Sequence, residues 1–172
     1  MIYVRAMNHK DIQRVSDLLC ACYRWLGERD NLTTQDVQFL VTQRGSTETI
    51  KRESEKETYY VVCRDTEIAG MVSVKNNEIT KLYVHPEWHR RGFGKLLFDK
   101  AEEIIAENGY TKLILSAIAE SPLLFYNSMG MTISGLKTCK MGQETGREVI
   151  LLEKVIDKKP NHRNQTHKNA TS

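Results

Sequence analysis

The sequence predicts a mixed α/β domain with a central mixed sheet of about six to seven strands flanked by helices. One reason is that β-rich runs alternate with amphipathic helical segments along the chain. A second is the strand–helix–strand unit from Glu78 to Ala117, which should form a right-handed parallel crossover. A third is that no internal repeat or domain linker interrupts residues 1–156. These residues are therefore predicted to form one domain.

The first third of the chain should supply one strand and two helices. The run IYVRAM has β-like composition and comes first. We expect Asp11 to cap the first amphipathic helix and Gly27 to end it. We expect Thr34 to cap the second helix. The polar segment GSTETIKRESEKE that follows is interpreted as a connection that is partly helical.

The hydrophobic period then changes to that of strands. TYYVVCRD and EIAGMVSVK are predicted to pair as a hairpin that turns around Asp65, and EITKLYVH should end at Pro86, which cannot continue a ladder. Residues 94–108 have helical periodicity, with Gly109 placed to cap the end. KLILSA is a continuous apolar run, typical of a strand that is buried on both faces of a sheet.

The last part of the domain should contain one helix and two strands. The helix is expected from Pro122, a residue favoured in first turns, to Met129. TISGLKTCK and REVILLEKVI then read as two strands on either side of the turn GQETG. The predicted order is strand, two helices, three strands, helix, strand, helix and two strands.

Composition excludes several classes of protein. The net charge of +3 equals the charge of residues 157–172, so the body is neutral and offers no broad nucleic-acid-binding face. We interpret 157–172 as a flexible, basic, solubilising tail rather than a nucleic-acid arm. Without a signal-peptide h-region or a long apolar run, the chain is expected in the cytoplasm. The four cysteines lack zinc-ligand spacing, so we expect free thiols and no metal.

The segment VHPEWHRRGFGKLLF carries the clearest functional signal. A helix N-terminus leaves about four N–H groups unpaired and holds about half a positive charge, so an anion can satisfy both. The closely spaced Gly92 and Gly94 let a ligand approach the backbone, and Arg90, Arg91 and Lys95 add positive charge. This combination favours a pyrophosphate.

Three glycine motifs compete for this segment. The dinucleotide motif G-x-G-x-x-G fails because Leu97 stands at its third glycine, and no acidic residue follows on the next strand. The P-loop motif fails because His89 stands at its first glycine and Leu96 at its Ser/Thr. The segment instead resembles motif A of the GNAT superfamily of N-acetyltransferases, Q/R-x-x-G-x-G/A after a strand that ends in V-x-P.

A second block strengthens the resemblance, which covers residues 1 to about 155. SPLLFYNSMGM looks like the family's FY-x-x-x-G-F/M segment, and the predicted order of elements is the family's order. Two positions depart from the family. His89 replaces the usual Gln or Arg, and Ala119 stands where many members have a cofactor-binding Asn. Neither change removes backbone N–H donors.

The resemblance implies that acetyl-CoA lies in a V-shaped gap between two splayed parallel strands, here 78–85 and 112–117. Backbone groups of Leu82 and Val84 would pair with the pantetheine arm, and the pyrophosphate would rest on Arg90 to Lys95. The resemblance places these residues on the cofactor: Leu82, Tyr83, Val84, His89, Arg90, Arg91, Gly92, Phe93, Gly94, Lys95 and Tyr126.

The resemblance also implies direct attack of a primary amine on the thioester. Tyr126 matches the family's tyrosine that protonates the leaving thiolate, and the Val84 N–H would stabilise the oxyanion. Glu78, acting through water, is the first candidate for the base that deprotonates the amine, and His85 is the alternative.

The acceptor pocket is expected near the first helix and the loop after it, with Tyr23, Trp25, Glu28 and Asp30 as candidates, although Trp25 also suits the core. We expect a small-molecule amine rather than a protein as acceptor, no membrane or nucleic-acid partner, and leave a homodimer open. Two other classes remain. One is an acetyl-CoA sensor or scaffold without turnover, and the other, which depends only on the tail, is a nucleic-acid module.

Overall fold

The computed structural model describes residues 1–141 and 146–157. The first four residues of the predicted turn GQETG and almost all of the predicted tail lie outside these described residues. The prediction of a flexible tail therefore stays a prediction.

The described residues contain a seven-stranded mixed sheet, in the order β1-β2-β3-β4-β5-β7-β6. Neighbouring strands are antiparallel except for β4 and β5, which are parallel. This arrangement confirms the predicted fold class and the parallel crossover. The strands are β1 (Ile2–Ala6), β2 (Thr58–Arg64), β3 (Glu67–Lys75), β4 (Glu78–Val84), β5 (Lys112–Ala117), β6 (Thr132–Cys139) and β7 (Arg147–Val155).

Helices cover both faces of the sheet. The helices α1, α2 and α3 pack on one side, which we call the α1 face, and α4 and α5 pack on the other, the α4 face. The five α-helices are α1 (Ile12–Arg29), α2 (Thr34–Phe39), α3 (Thr47–Ser54), α4 (Phe93–Glu107) and α5 (Leu123–Ser128). Short 3₁₀ turns precede α1 and follow β4, and a π-helical turn follows α2.

Each face has its own hydrophobic core, because side chains alternate along the central strands. In β2, Val62 joins the core on the α4 face, whereas Val61 and Cys63 join the core on the α1 face. The helix α4 contributes most to its core, with Leu97 and Ile105 fully buried. The parallel crossover is thus fixed to the sheet by an apolar helix face.

The first helix does not end at Gly27 as predicted but continues to Arg29. A Cβ on Gly27 would meet the Cγ2 atom of Val37 at 2.5 Å. Glycine is therefore placed there because α2 approaches α1 closely, and not because the helix ends.

The polar segment before β2 forms a helix of its own, so three helices rather than two separate β1 from β2. The predicted cap of the second helix is wrong by one residue, because Thr33 rather than Thr34 accepts from the N–H of Asp36 at 3.1 Å. The Asp11 side chain does not cap α1. It accepts from the Asn8 N–H at 2.9 Å and pairs with Arg5.

The strand β5 has the predicted bounds but not the predicted burial. Leu113, Leu115 and Ala117 face the core on the α4 face, whereas Lys112 and Ser116 are exposed. The helices α1, α2 and α3 cover β2, β3 and β4. The half of the sheet that contains β5 therefore lacks their cover on the α1 face. The continuous apolar run was therefore a misleading signal for burial on both faces.

Candidate functional site

The parallel strands β4 and β5 pair only at their beginnings. The register joins Glu78 to Ile114 and Ile79 to Leu115, and no further pair forms although both strands continue. A β-bulge marks this point, since Thr80 is an extra residue in β4 against β3. A gap between the strands therefore opens after Ile79, as the predicted splayed pair requires.

Backbone groups on β4 face this gap. Successive residues of a strand direct their N–H and C=O groups to opposite edges. The His85 N–H donates to the Ala69 oxygen at 2.9 Å, so residue 85 points toward β3. Leu82 and Val84 therefore point toward β5, where no strand pairs with them. They offer an extended ligand the hydrogen-bonding edge of a missing strand.

The helix α4 begins at the open end of the gap. Gly92 is its N-cap residue with φ of +83°, and no side chain caps the helix start. The first backbone bond of this turn runs from the Leu96 N–H to the Gly92 oxygen, at 3.3 Å. Arg90 also has a left-handed φ of +63°, so handedness alternates along the loop, as in backbone nests that bind anions. The loop and helix start are thus arranged to receive an anion.

The cations around this loop have different environments. Lys95 pairs with Asp99 at 2.6 Å, and the Arg91 guanidinium lies 4.9 Å from the centre of the Trp88 ring. Arg90 makes no side-chain contact of this kind within the described residues. All three side chains are exposed, so each can turn toward a ligand.

The helix α5 places a buried phenol on the α4 face of the site. Phe125 packs on the first turn of α4, where a Cβ on Gly94 would meet its ring at 3.2 Å. The next residue, Tyr126, is buried, and burial raises its pKa to about 12. Its hydroxyl forms no hydrogen bond to the part of the chain that the structure describes. The phenol therefore stays protonated at neutral pH with its hydrogen available to a ligand.

Two more tyrosines continue on the α1 face. The rings of Tyr23 and Tyr83 meet edge to face, with centroids 5.3 Å apart. Burial raises the pKa of Tyr83, and the nearby Tyr126 raises it further. The effect of Tyr126 on this pKa indicates that Tyr83, on β4, lies near Tyr126, on α5, although the two side chains pack in different cores.

The Val84 carbonyl is held by two side chains that come from outside the strand. His89 Nε2 lies 2.8 Å from the Val84 oxygen, and the Cys22 thiol donates to the same oxygen at 3.3 Å. The His89 ring also stacks edge to face on Trp25 of α1, at 4.7 Å. The residue that departs from the motif thus ties the glycine loop to the open end of β4. Cys22 was not among the predicted residues, since nothing local marks it.

The two candidates for the base lie at opposite ends of β4. Glu78 is half-buried at the paired end, before the gap opens. His85 lies past the open end, in a groove on the α1 side that Arg14, Asp17 and Glu67 also line. Its Nδ1 accepts from the Glu87 N–H at 3.3 Å. Neither side chain lies inside the open part of the gap.

Of the four candidates for the acceptor pocket, Tyr23 and Trp25 lie on α1 over β4, as described above, and Glu28 is exposed. Asp30 follows the end of α1, and its Oδ1 accepts from the Ser121 N–H at 3.1 Å. Ser121 belongs to the loop between β5 and α5, which also contains the buried Ala119. Asp30 thus joins α1 to the β5 side of the gap.

Within residues 1–141 and 146–157, no group of three or more side chains could hold a metal ion. The same residues contain no helix that is long and apolar enough to cross a membrane.

Comparison with known proteins gives a family match over most of the chain. Residues 28–145 match a family model described as an acetyltransferase (GNAT) domain. This range contains the gap, the glycine loop, Tyr126 and Asp30.

Solved structures share the whole fold at low sequence identity. A GCN5-related N-acetyltransferase from Rhodopseudomonas palustris is 17% identical, with a TM-score of 0.82 over 90% of this chain and 95% of that one. The PaiA N-acetyltransferase from Thermoplasma acidophilum, solved with coenzyme A, is 17% identical, with a TM-score of 0.72 over 90% and 99%. The ribosomal-protein-S18-alanine N-acetyltransferase from Escherichia coli is 16% identical, with a TM-score of 0.65 over 94% and 98%.

Proposed function

Because the chain belongs to the GNAT family of acetyltransferases, we propose that it transfers the acetyl group of acetyl-CoA to a primary amine. One observation carries this proposal. The gap between β4 and β5 opens onto an uncapped helix start at one end, and a buried, protonated phenol lies beside it. An acyl thioester attached to a pyrophosphate has the extended shape and the charge that this arrangement fits.

The cofactor would use the backbone more than the side chains. The N–H groups at the start of α4 would hold the pyrophosphate, with Arg90 and Arg91 neutralising its charge. The Leu82 groups that face the gap would bond to the pantetheine arm, and the Val84 N–H would face the thioester, since His89 and Cys22 already hold the Val84 carbonyl. Support for this comes from the T. acidophilum neighbour, whose structure contains coenzyme A.

The chemistry is a direct displacement in two steps. The amine nitrogen attacks the thioester carbon, and the carbonyl oxygen becomes an oxyanion that the Val84 N–H would stabilise. The carbon–sulfur bond then breaks, its electron pair stays on sulfur, and the nitrogen loses its remaining extra proton. We propose that His89 and Cys22 act as positioning residues, because they hold the carbonyl of Val84 and thereby orient this strand end.

The pKa of Tyr126 bears on its role. A thiol has an ordinary pKa of about 8.5, so full transfer of a proton from a phenol with a pKa of about 12 is uphill by several pH units. A hydrogen bond from the phenol to the developing thiolate has no such penalty. We therefore propose that Tyr126 donates a hydrogen bond to the leaving sulfur, and that the proton transfer predicted from the sequence is completed only as the bond breaks.

The acceptor is proposed to be a small primary alkylamine. The direct experiment incubates the full chain with acetyl-CoA and a panel of a polyamine, an aminoglycoside, an amino acid and an alanine-terminated peptide, and measures thiol release. We expect release that depends on one class of amine and yields an equal amount of N-acetyl product. Acetyl-CoA binding without product from any amine would instead support the sensor or scaffold function.

A further inference from the structure

One carboxylate beside the gap has an oxygen that the protein does not use. Asp30 Oδ1 accepts from the Ser121 N–H, but Oδ2 is buried and has no hydrogen-bond partner. Among residues 1–141 and 146–157, it is the one buried side-chain oxygen or nitrogen in this state. Buried polar groups in native proteins are almost always paired, so this exception needs a physical explanation.

Other buried carboxylates of the chain show that the fold can satisfy such groups. Asp11 accepts from both Arg5 nitrogens and from the Asn8 N–H. Asp36 accepts from the Thr33 N–H at 3.1 Å and lies 3.5 Å from the Arg147 guanidinium. Each of these two carboxylates has a cationic partner, whereas Asp30 has none in the part of the chain that the structure describes. Since no described residue fills this place, we expect the partner of Asp30 to be a cationic hydrogen-bond donor such as a bound ligand.

The position of Asp30 identifies where that donor would lie. Cys22, Tyr23 and Trp25 fix the second half of α1 against the open end of β4. Asp30 lies eight residues after Cys22, about 12 Å farther along the helix direction, and bonds to the loop that follows β5. The end of α1 thus bridges the gap on the α1 face, whereas Tyr126 closes it on the α4 face.

We propose that Asp30 Oδ2 binds the ammonium group of the acceptor and takes up its proton as the nitrogen–carbon bond forms. This inference rests on the proposed function and replaces Glu78 as the base, because Glu78 lies where β4 and β5 are still paired. The Ser121 N–H holds Oδ1, which leaves Oδ2 as the oxygen that a ligand could use. The site would select amines that are protonated in solution, because an ionised carboxylate accepts hydrogen bonds but donates none.

The step balances without a further reagent. One proton moves from the ammonium nitrogen to Asp30 Oδ2, and the freed lone pair forms the nitrogen–carbon bond. The carbon–sulfur bond breaks with its electron pair on sulfur, and a second nitrogen proton is lost as the amide forms. One of these two protons ends on the thiol and the other in solvent.

The test compares Asp30→Asn with two matched variants, Asp36→Asn and Glu78→Gln. Each is measured for melting temperature, acetyl-CoA affinity by calorimetry, and thiol release with n-butylamine, spermidine and the panel above. Asp30→Asn should lower kcat/KM for the amine at least 100-fold and keep acetyl-CoA affinity within threefold. It should melt within a few degrees of the parent, because the oxygen that accepts from the Ser121 N–H is kept and only an unpartnered oxygen is replaced. Glu78→Gln should stay within fivefold of the parent.

Asp36→Asn should behave in the opposite way, with a lower melting temperature and an acetyl transfer rate per folded molecule near that of the parent. An Asp30→Asn protein that melts well below the parent, or that transfers acetyl groups within threefold of it, would overturn the inference. A parent protein that releases no thiol with any amine would overturn the proposed function, and the inference with it. Loss of activity in Glu78→Gln but not in Asp30→Asn would return the base to β4.

Discussion

Polar side chains near the bulge of β4 are paired with one another, whereas several polar groups at the open end of the strand are not. Just past the paired end, beside the bulge at Thr80, Lys81 is buried and forms an ion pair with Glu53, and Tyr59 donates to the same carboxylate at 3.0 Å. Thr80 bonds to Glu57 and Ser73 beside them. At the open end, the backbone of β4 faces an empty edge, the helix α4 begins without a side-chain cap, and Asp30 keeps a buried oxygen unpaired.

This difference indicates that a ligand would bind at the open end of β4. The polar residues beside the bulge lie on α3, β2, β3 and β4 and in the turn before β2, and they are partners of one another. The open end lies only a few residues farther along the same strand, so protein side chains could have paired its polar groups in the same way. Polar groups that stay open in a protein that pairs such groups elsewhere are expected to be completed by a bound molecule.

The largest effect on stability should come from breaking the ion pair between Lys81 and Glu53. Lys81→Met leaves Glu53 partly buried without its cation, and removing one partner of a buried pair typically destabilises a protein by about 3–5 kcal/mol. Urea unfolding should show this loss. The control Lys112→Met removes an exposed pair with Glu153 and should lower the free energy of unfolding by less than about 1 kcal/mol. Equal losses in the two variants would contradict the comparison.

The same variant has a pH dependence of known sign. Burial alone would raise the pKa of Glu53, but the hydrogen bond and charge of Lys81 lower it below 4.5. In the parent, this contribution to stability is present above the ordinary pKa and is lost as the pH falls through the lower folded value. In Lys81→Met, burial raises the pKa of Glu53 against only the Tyr59 hydrogen bond and the charge of Arg44, so protonation of Glu53 costs less than in the parent. The stability difference should therefore narrow between neutral pH and about pH 4.

Tyr126→Phe tests the open end with a smaller expected effect. It keeps the ring and removes only the hydroxyl, and deleting a donor to a developing charge typically lowers the rate about 10²-fold, or about 2.7 kcal/mol of barrier. Single-turnover acetyl transfer should show this loss while acetyl-CoA affinity stays within a few-fold. Tyr110→Phe, on an exposed ring, is the control and should be silent. If Tyr126→Phe stays within threefold of the parent, Tyr126 is a packing residue.

Gly92→Ala should have the smallest effect of these variants, a modest loss of acetyl-CoA affinity. A side chain at φ of +83° introduces backbone strain of about 1–2 kcal/mol. Relief of that strain would tilt the N–H groups of the helix start, so acetyl-CoA affinity in calorimetry should fall about tenfold, or 1.4 kcal/mol. Gly109→Ala is a matched control, because Gly109 has φ of +88° at the other end of α4. Similar stability losses with an affinity loss only for Gly92→Ala would confirm the role of the loop.

The sequence predicted the elements whose signals are local. The strand KLILSA, the helix after the glycine loop and the turn at Asp65 were found where their periodicity and turn chemistry placed them. The roles of Gly27 and Thr34 were misjudged. A glycine that admits a neighbouring helix looks the same in sequence as one that ends a helix, and two adjacent threonines offer the same capping side chain. The burial of β5 was misjudged for a related reason, since it depends on which helices cover that half of the sheet.

The site followed the same division. The gap and the helix start could be predicted, because strand, loop and helix are consecutive in the chain. The contacts of Val84 with His89 and Cys22, and of Asp30 with Ser121, could not be predicted. Two of these three contacts, Cys22 with Val84 and Asp30 with Ser121, join residues that are far apart in sequence, and no periodic pattern encodes their meeting. The histidine that departs from the motif gave the one available hint.

The gap also determines how the sheet can move. Two residue pairs, Glu78 with Ile114 and Ile79 with Leu115, are all that link the ladder of β1 to β4 with the ladder of β5 to β7. Few ladder bonds thus join these two leaves of the sheet, which the core on the α4 face and the Asp30–Ser121 bond also hold together. The Leu82 and Val84 amides should exchange with solvent as loop amides do, although both residues belong to a strand. A molecule that fills the gap would act as a brace, because it would couple the two leaves along their full length.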